Sequence, residues 1–413
     1  MSKTASNAVI VGGGQAGAQC AISLRQHGWR GAIVMIAAEE TLPYQRPPLS
    51  KAFLAGDITA ERLLLREQTF YDAQNIRIRT GESVTTIDRR DNVVATSEGE
   101  VLGFAKLFLA TGTRPRKLAA PGAHLDGVGY LRGIEDVRRL QPRFQCASKL
   151  VVVGGGYIGL EVAAVARKCG MNVTVIEAGE RLLGRVTGEV VSDYYAACHR
   201  AKGVDVRLRT TVVAFAGERK LAAVRLSSGE ELPCDLAVIG IGVDANDELA
   251  MYSGIDVEPG QGILVDEAMR TSDPDIYAMG DCALVWSPFA GRRQRIESVA
   301  NAIEQGRIAA AHAAGAPPPA AAVPWFWSDQ YDVKLQTAGL LSKGYDQTVV
   351  RGDPADGRFS VFYLKGRTLV ALDAINAAAD FNVAKRLIGM KDVALDLDAI
   401  ADSGRDVRGL LPA

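Results

Sequence analysis

The chain is short of several things that would each have pointed to a function class. It has no apolar run near the ~18 residues of a membrane-spanning helix, and only seven residues precede the first expected strand, too few for a signal peptide. A cytoplasmic protein that does not enter the membrane is the expectation. The six cysteines, Cys20, Cys146, Cys169, Cys198, Cys234 and Cys282, are scattered, with no C-x-x-C and no zinc-type spacing. Scattered reduced thiols are therefore expected. The four histidines, His27, His124, His199 and His312, do not cluster either, so no metal site is expected. Neither sign of charge dominates: Lys+Arg 47 against Asp+Glu 48 leaves a net charge of -1. That balance argues against a general nucleic-acid binder, while leaving room for a local basic patch.

What is present reads as an ordinary globular chain. Its 413 residues are 48% hydrophobic and 23% charged, enough for two or three domains with ample core. The organising stretch is Ala8 to Gly17, where a β-branched run feeds into Gly12, Gly14 and Gly17. This is G-x-G-x-x-G spacing, and a helix-like segment follows from Ala18 to His27. The first glycine permits the tight turn, the second lets backbone approach a pyrophosphate, and the third lets helix pack on strand. A strand-like run from Gly31 to Ala38 then delivers Glu39, placed to accept from ribose hydroxyls, with Glu40 as an adjacent competitor.

The pattern then recurs. Leu150 to Val153 is an apolar strand, Gly154, Gly156 and Gly159 repeat the spacing, a helix is expected to about Cys169, and the strand Asn172 to Ile176 ends at Glu177. Two such units imply two dinucleotides. A carboxylate at Glu177 accepts from ribose hydroxyls and repels a 2′-phosphate, which favours NADH over NADPH. Arg181 and Arg185 follow closely, and serve equally well for a 2′-phosphate, the adenosine phosphates or solvent.

Between and after these units lie further signals. Pro43 to Lys51 is expected to be held extended by its prolines, with Arg46 and Lys51 as cations on a stiff loop. Lys106 to Gly112 and Cys234 to Gly242 are buried strands ending in glycine. They read as crossings between domains, with a β-meander from about Val204 to Leu232. Asp275 to Ala283 delivers Asp281 at a strand's carboxyl end, where open α/β sheets bind ligands. An alanine-rich helix, Ser298 to His312, leads to a proline linker over Ala316 to Val323. Strands Val333–Leu340, Thr348–Gly352, Phe359–Leu364 and Thr368–Ile375, then helices near Ala379 to Met390 and after Asp396, make a third, α+β domain.

These motifs together resemble the FAD-dependent NADH:ferredoxin reductases that serve Rieske oxygenases and bacterial P450 systems. The resemblance covers nearly the whole chain. It rests on Gly12–Gly17, Arg46-Pro47-Pro48-Leu49-Ser50-Lys51, Ala110-Thr111-Gly112, Gly154–Glu161, Gly280-Asp281-Cys282 and Pro324-Trp325-Phe326-Trp327-Ser328-Asp329-Gln330. It implies two Rossmann-like α/β domains of glutathione-reductase type plus the C-terminal α+β domain. The FAD domain would be split over 1–114 and 243–323, the NAD domain would be 115–242, and the C-terminal domain 324–413. It also implies FAD contacts at Gly12, Gly14, Ala16, Gly17, Glu39, Arg46, Lys51, Val84, Thr111, Gly112, Arg132, Gly280, Asp281, Val299 and Trp327. NAD contacts would be Gly154, Gly156, Tyr157, Ile158, Gly159, Glu177, Arg185 and Gly242.

By the same resemblance Trp327 would cover the isoalloxazine, and Lys51 would pair with Glu161 across a domain junction beside flavin N5, orienting nicotinamide rather than donating a proton. NADH would reduce FAD, which would pass single electrons to an acidic [2Fe–2S] ferredoxin, with the protein a monomer or weak dimer. Arg307, Arg292, Arg293, Arg295, Lys385 and Arg386 are candidates for a cationic docking rim. A rubredoxin reductase or another NADH-dependent flavoprotein of the same fold is the alternative. A thiol-using relative would need a redox cysteine, which the stretch from Leu42 to Lys51 lacks.

Overall fold

A buried strand of four small or β-branched residues, Ala8–Val11, sits at the centre of a five-stranded parallel sheet. In the computed structural model, which describes residues 6–144, 146–390 and 393–412, the strand order is Ile276–Ala278, Lys106–Leu109, Ala8–Val11, Ile33–Ala37, Ile76–Thr80. Continuous apolar runs suit strands covered on both faces. Helix Gln15–Gln26 leaves the first strand through the glycine loop. It packs on helix Val299–Ala313 through small residues, so closely that a Cβ on Gly306 would lie 2.8 Å from the Ala16 carbonyl oxygen. These elements belong to one compact unit: residues up to Gln45, Leu63–Arg114 and Asp244–Phe326.

The other unit comprises Arg46–Arg62, Pro115–Val243 and the chain from Trp327 onward. Its parallel sheet runs Asp205–Arg207, Asn172–Ile176, Lys149–Val153, Leu236–Ile239, Val128–Tyr130. The expected meander is the antiparallel sheet of Val212–Ala216, Ala223–Leu226 and Glu231–Pro233. The C-terminal sheet is antiparallel, ordered Trp325–Gln330, Val333–Gly339, Thr368–Ile375, Arg358–Lys365, Gln347–Asp353, with helix Ala378–Gly389 following its last strand.

Two features differ from the sequence reading. Pro47–Ser50 is a tight 3-10 turn rather than an extended run, and helix Ala52–Ala55 follows it. Proline's fixed φ and missing N–H suit the first position of a helical turn, so the same residue type serves there without strain. Arg46–Arg62 also groups with the second unit instead of the first. Arg46 Nη1 donates to the Arg132 carbonyl at 2.9 Å, and Gln141 donates to the Phe53 carbonyl.

Candidate cofactor sites and the Lys51–Glu161 centre

The two glycine loops have the same geometry. Gly12 has φ +118°, and a Cβ there would lie 2.2 Å from the Ala110 carbonyl oxygen; Gly154 has φ +112° and would meet the Gly240 carbonyl oxygen at 2.4 Å. Gly17 and Gly159 close against the first glycine of their own loops, where a Cβ would lie 2.1 and 2.2 Å from its carbonyl oxygen. These four positions are glycine because the protein itself leaves no room. Gly14 and Gly156 are different: a Cβ on either meets nothing within 4 Å. Each is the N-cap of its helix, and no side chain caps either end. An uncapped helix N-terminus with open space before it is suited to phosphate.

Around the first loop, Glu39 is half-buried and accepts from the Tyr44 hydroxyl, whereas Glu40 is exposed. The turn at Thr111 and Gly112 is braced from Asn246, whose Nδ2 donates to the Thr111 carbonyl at 2.9 Å while Thr111 Oγ1 donates to the Asn246 carbonyl at 2.6 Å. Gly280 N donates to Gln305 Oε1 at 2.7 Å, fixing the turn that carries Asp281. Ser298 caps the long helix by accepting from Asn301 N at 3.1 Å, so Val299 begins a helix with one first-turn donor already engaged. Val84 is half-buried at the start of the strand Val84–Asp88.

Around the second loop, Glu177 accepts from Gly155 N at 2.6 Å and from Gly179 N at 2.7 Å. Arg181 is turned inward, donating to Thr187 O at 2.8 Å, Ser192 Oγ at 2.7 Å and Gly184 O at 2.9 Å. Arg185 is exposed, and its guanidinium would lie 3.5 Å from a Cβ at Gly242. Tyr157 is half-buried and Ile158 exposed at the start of helix Tyr157–Lys168.

One turn along that helix, Glu161 is only 4% exposed, and Lys51 Nζ lies 2.6 Å from its Oε2. Both residues belong to the second unit. Ser50 Oγ donates to the same carboxylate oxygen at 2.5 Å, Ser328 Oγ donates to Oε1 at 2.6 Å, and Lys51 also reaches the Pro47 carbonyl at 3.2 Å. Sequence reasoning gave no role to Ser50 or Ser328, though both fall inside the two most distinctive motifs. It also missed Gln330, His199 and Asp373. The signals for them are weak ones: polar residues two apart in an aromatic strand, and a lone acid in the apolar run Leu369–Ile375. Trp327 is half-buried on the same strand, pointing to the face opposite Ser328 and Gln330.

All six cysteines are free. Burial pushes the Cys20 thiol well above its ordinary value, and raises Cys282, which donates to the Leu109 and Met279 carbonyls. Among the described residues no group of histidine, cysteine and acidic side chains is arranged to hold a metal ion, and no helix is long and apolar enough to cross a membrane.

Comparison with known proteins matches residues 6–306 to the pyridine nucleotide-disulphide oxidoreductase family and residues 325–411 to the reductase C-terminal family. The chain belongs to the pyridine nucleotide-disulphide oxidoreductases. A putidaredoxin reductase of Pseudomonas putida is 46% identical to this oxidoreductase over 388 residues, covering 92% of this chain and 91% of its own. A ferredoxin–NAD(P)(+) reductase from a Sphingomonas species is 43% identical over 394 residues, covering 95% and 94%. Among solved structures, the covalent putidaredoxin reductase–putidaredoxin complex matches with a TM-score of 0.95 at 43% identity, covering 98% of both chains.

The oxidoreductase works with FAD and NAD(H), and the fold is the expected pair of dinucleotide-binding domains with a C-terminal α+β domain. The residues present fit both dinucleotides: Gly14 and Gly156 leave open space at an uncapped helix N-terminus, room suited to a phosphate. Despite the family's name, none of the six cysteines is in a disulphide.

Proposed function

We propose that the protein is an NADH-dependent ferredoxin reductase, delivering electrons to a [2Fe–2S] ferredoxin that feeds a cytochrome P450 or Rieske oxygenase. The observation that carries this reading is its end-to-end likeness to a putidaredoxin reductase solved in covalent complex with putidaredoxin. Bound FAD would supply the link between a two-electron hydride donor, NADH, and a one-electron acceptor. With all six cysteines free, the chain holds no disulphide of its own to accept those electrons.

The protein's part is to bind and align. Gly12, Gly14, Ala16, Gly17 and Glu39 hold the adenosine half of FAD, and Arg46, Val84, Thr111, Gly112, Arg132, Gly280, Asp281 and Val299 hold the remainder. Trp327 covers the flavin ring. Gly154, Gly156, Tyr157, Ile158, Gly159, Glu177, Arg185 and Gly242 hold NADH. Lys51 and Glu161 orient the nicotinamide without exchanging a proton with it, since the ammonium is already committed to the carboxylate. Arg181 serves the loop's interior, which leaves Arg185 as the nearby cation for phosphate.

For an acidic partner the exposed cations are Arg292, Arg293, Arg307 and Arg386. Arg295 is withdrawn from that role by its pair with Glu297 at 2.7 Å, and Lys385 is half-buried. A cytoplasmic monomer or weak dimer is the setting. The test is cytochrome c reduction by NADH with and without an added [2Fe–2S] ferredoxin. The expected result is a rate that depends on ferredoxin. A rate indifferent to ferredoxin overturns the reading, and a rate that responds to rubredoxin alone replaces it with the rubredoxin-reductase alternative.

A further inference from the structure

The Glu161 carboxylate is the end of a buried polar chain that runs well past the residues the proposed function uses. An ionised carboxylate only accepts hydrogen bonds. Lys51 and Ser50 occupy Oε2, so Ser328 must spend its single hydrogen on Oε1, 2.6 Å away. Ser328 Oγ is then an acceptor, and Gln330 Nε2 donates to it at 3.2 Å. This orients the amide so that Gln330 Oε1 faces His199 Nε2 at 2.9 Å. That ring nitrogen must carry the hydrogen. Nδ1 is left bare, and the Tyr331 hydroxyl donates to it at 3.1 Å.

The charge on Glu161 thus dictates a rotor, an amide orientation and a tautomer, up to an imidazole on another helix, Glu189–Ala201. The middle of the chain is sealed from solvent: His199 and Ser328 are 0% exposed and Gln330 is 1% exposed. Burial holds the His199 imidazole below its ordinary range, in keeping with the neutral ring the chain requires. An imidazolium would aim a hydrogen at the Tyr331 oxygen and break the sequence of donors. Hydrogen bonds that all point one way polarise one another, so a donor at the far end strengthens the bond at the near end.

We propose that His199 is a positioning residue, acting through Gln330 and Ser328 to hold the Glu161 carboxylate in its place against Lys51. The proposal rests on the reading of Lys51 and Glu161 as the pair that orients the nicotinamide. It assigns a function to a histidine far from either glycine loop in sequence.

Two measurements test it on the intact holoenzyme. The first is nitrogen-edited NMR with labelled histidine, with the His199 signal identified by its loss in His199→Phe. The expected spectrum shows Nε2 protonated and Nδ1 bare, with the signal shifting in Ser328→Ala. The opposite tautomer, or a signal indifferent to Ser328→Ala, overturns the proposal.

The second is rapid-mixing reduction of the bound flavin by NADH. Gln330→Met, close in volume, should slow reduction about 10-fold with NADH affinity unchanged, the size of effect small misplacements produce. Combined with Lys51→Met it should slow reduction no further, because both act through the same carboxylate. A Gln330→Met rate within about 2-fold of the parent, or losses that multiply in the double variant, overturns the proposal. If Gln330→Met does not fold, Ser328→Ala is read by the same two criteria. Failure of the parent protein to be reduced by NADH at all would instead sink the proposed function, while the tautomer would still report on the chain.

Discussion

The Lys51 ammonium is the only cation within ion-pair distance of the Glu161 carboxylate among the described residues, at 2.6 Å from Oε2. Replacing it by methionine keeps the stem and leaves a buried carboxylate with two serine donors. NADH-driven flavin reduction should slow by roughly 10- to 100-fold in stopped-flow, with bound FAD retained, because alignment rather than chemistry is lost. A parent-like rate would refute the orienting role. Lys51 is 20% exposed, so the stability cost should be about 1–3 kcal/mol, below that of breaking a fully buried pair.

The glycines separate into two classes with different variants. Gly12→Ala places a Cβ 2.2 Å from the Ala110 carbonyl at a backbone φ of +118°, so it should damage folding itself. Gly14→Ala and Gly156→Ala meet nothing in the protein. They should fold normally, yet Gly14→Ala should be purified with little FAD, and Gly156→Ala should keep FAD and bind NADH at least about 10-fold more weakly. Absorbance at purification and NADH titration distinguish the outcomes. Normal cofactor binding by both would show that the open space is not where phosphates lie.

Coenzyme choice should rest on Glu177 and not on Arg181. Glu177→Ala removes the acceptor for the Gly155 and Gly179 amides as well as the charge that repels a 2′-phosphate. The ratio of kcat/KM for NADH over NADPH should fall by about 10-fold or more. Arg181→Ala should leave that ratio unchanged and lower the melting temperature instead, because its donors are spent on Thr187, Ser192 and Gly184.

Asp373 makes stability depend on pH. It is buried, accepts from the Tyr363 hydroxyl at 2.8 Å, and burial lifts its carboxyl to about 7. The same hydroxyl accepts from Gly188 N at 3.0 Å, ahead of helix Glu189–Ala201. In the unfolded chain the carboxyl ionises near its ordinary 3.8, so between there and about 7 the unfolded state binds fewer protons. The stabilisation from keeping it neutral is full below that window and is lost as pH rises through it. Asp373→Asn should therefore unfold in urea like the parent near pH 4, and be more stable by roughly 2–4 kcal/mol at pH 8. Equal stability at both pH values would show that the carboxyl is not held neutral.

The glycine loops were legible because their reasons are local: a turn, a close approach and a positive φ must be met by the residues that make them. The reach of Lys51 to Glu161 came through the family resemblance, since spacing alone says nothing about contacts between distant segments. Helix Ile134–Phe144 escaped the sequence reading. Its buried stripe of Ile134, Val137, Leu140 and Phe144 is interrupted by charged residues, and Pro142 lies inside it. The Pro47–Pro48 turn is not legible in the sequence, because proline fixes φ without choosing between extended and helical partners. The chain from Ser328 to His199 has only a weak local signature, two polar residues two apart in an aromatic strand. Its bonds to Glu161 and His199 join residues far apart in sequence, and only the fold brings them into line.

The strand Trp325–Gln330 sends Ser328 and Gln330 into the buried interior and leaves Trp327 and Asp329 on its other side. A sheet has a period of two, so slipping this strand by one residue would exchange the faces completely. An insertion or deletion there cannot damage one role and spare the other: the tryptophan and the serine that steadies Glu161 would trade places together. The segment should tolerate many substitutions at Asp329 and almost no change of length, a constraint on inheritance set by pleating alone.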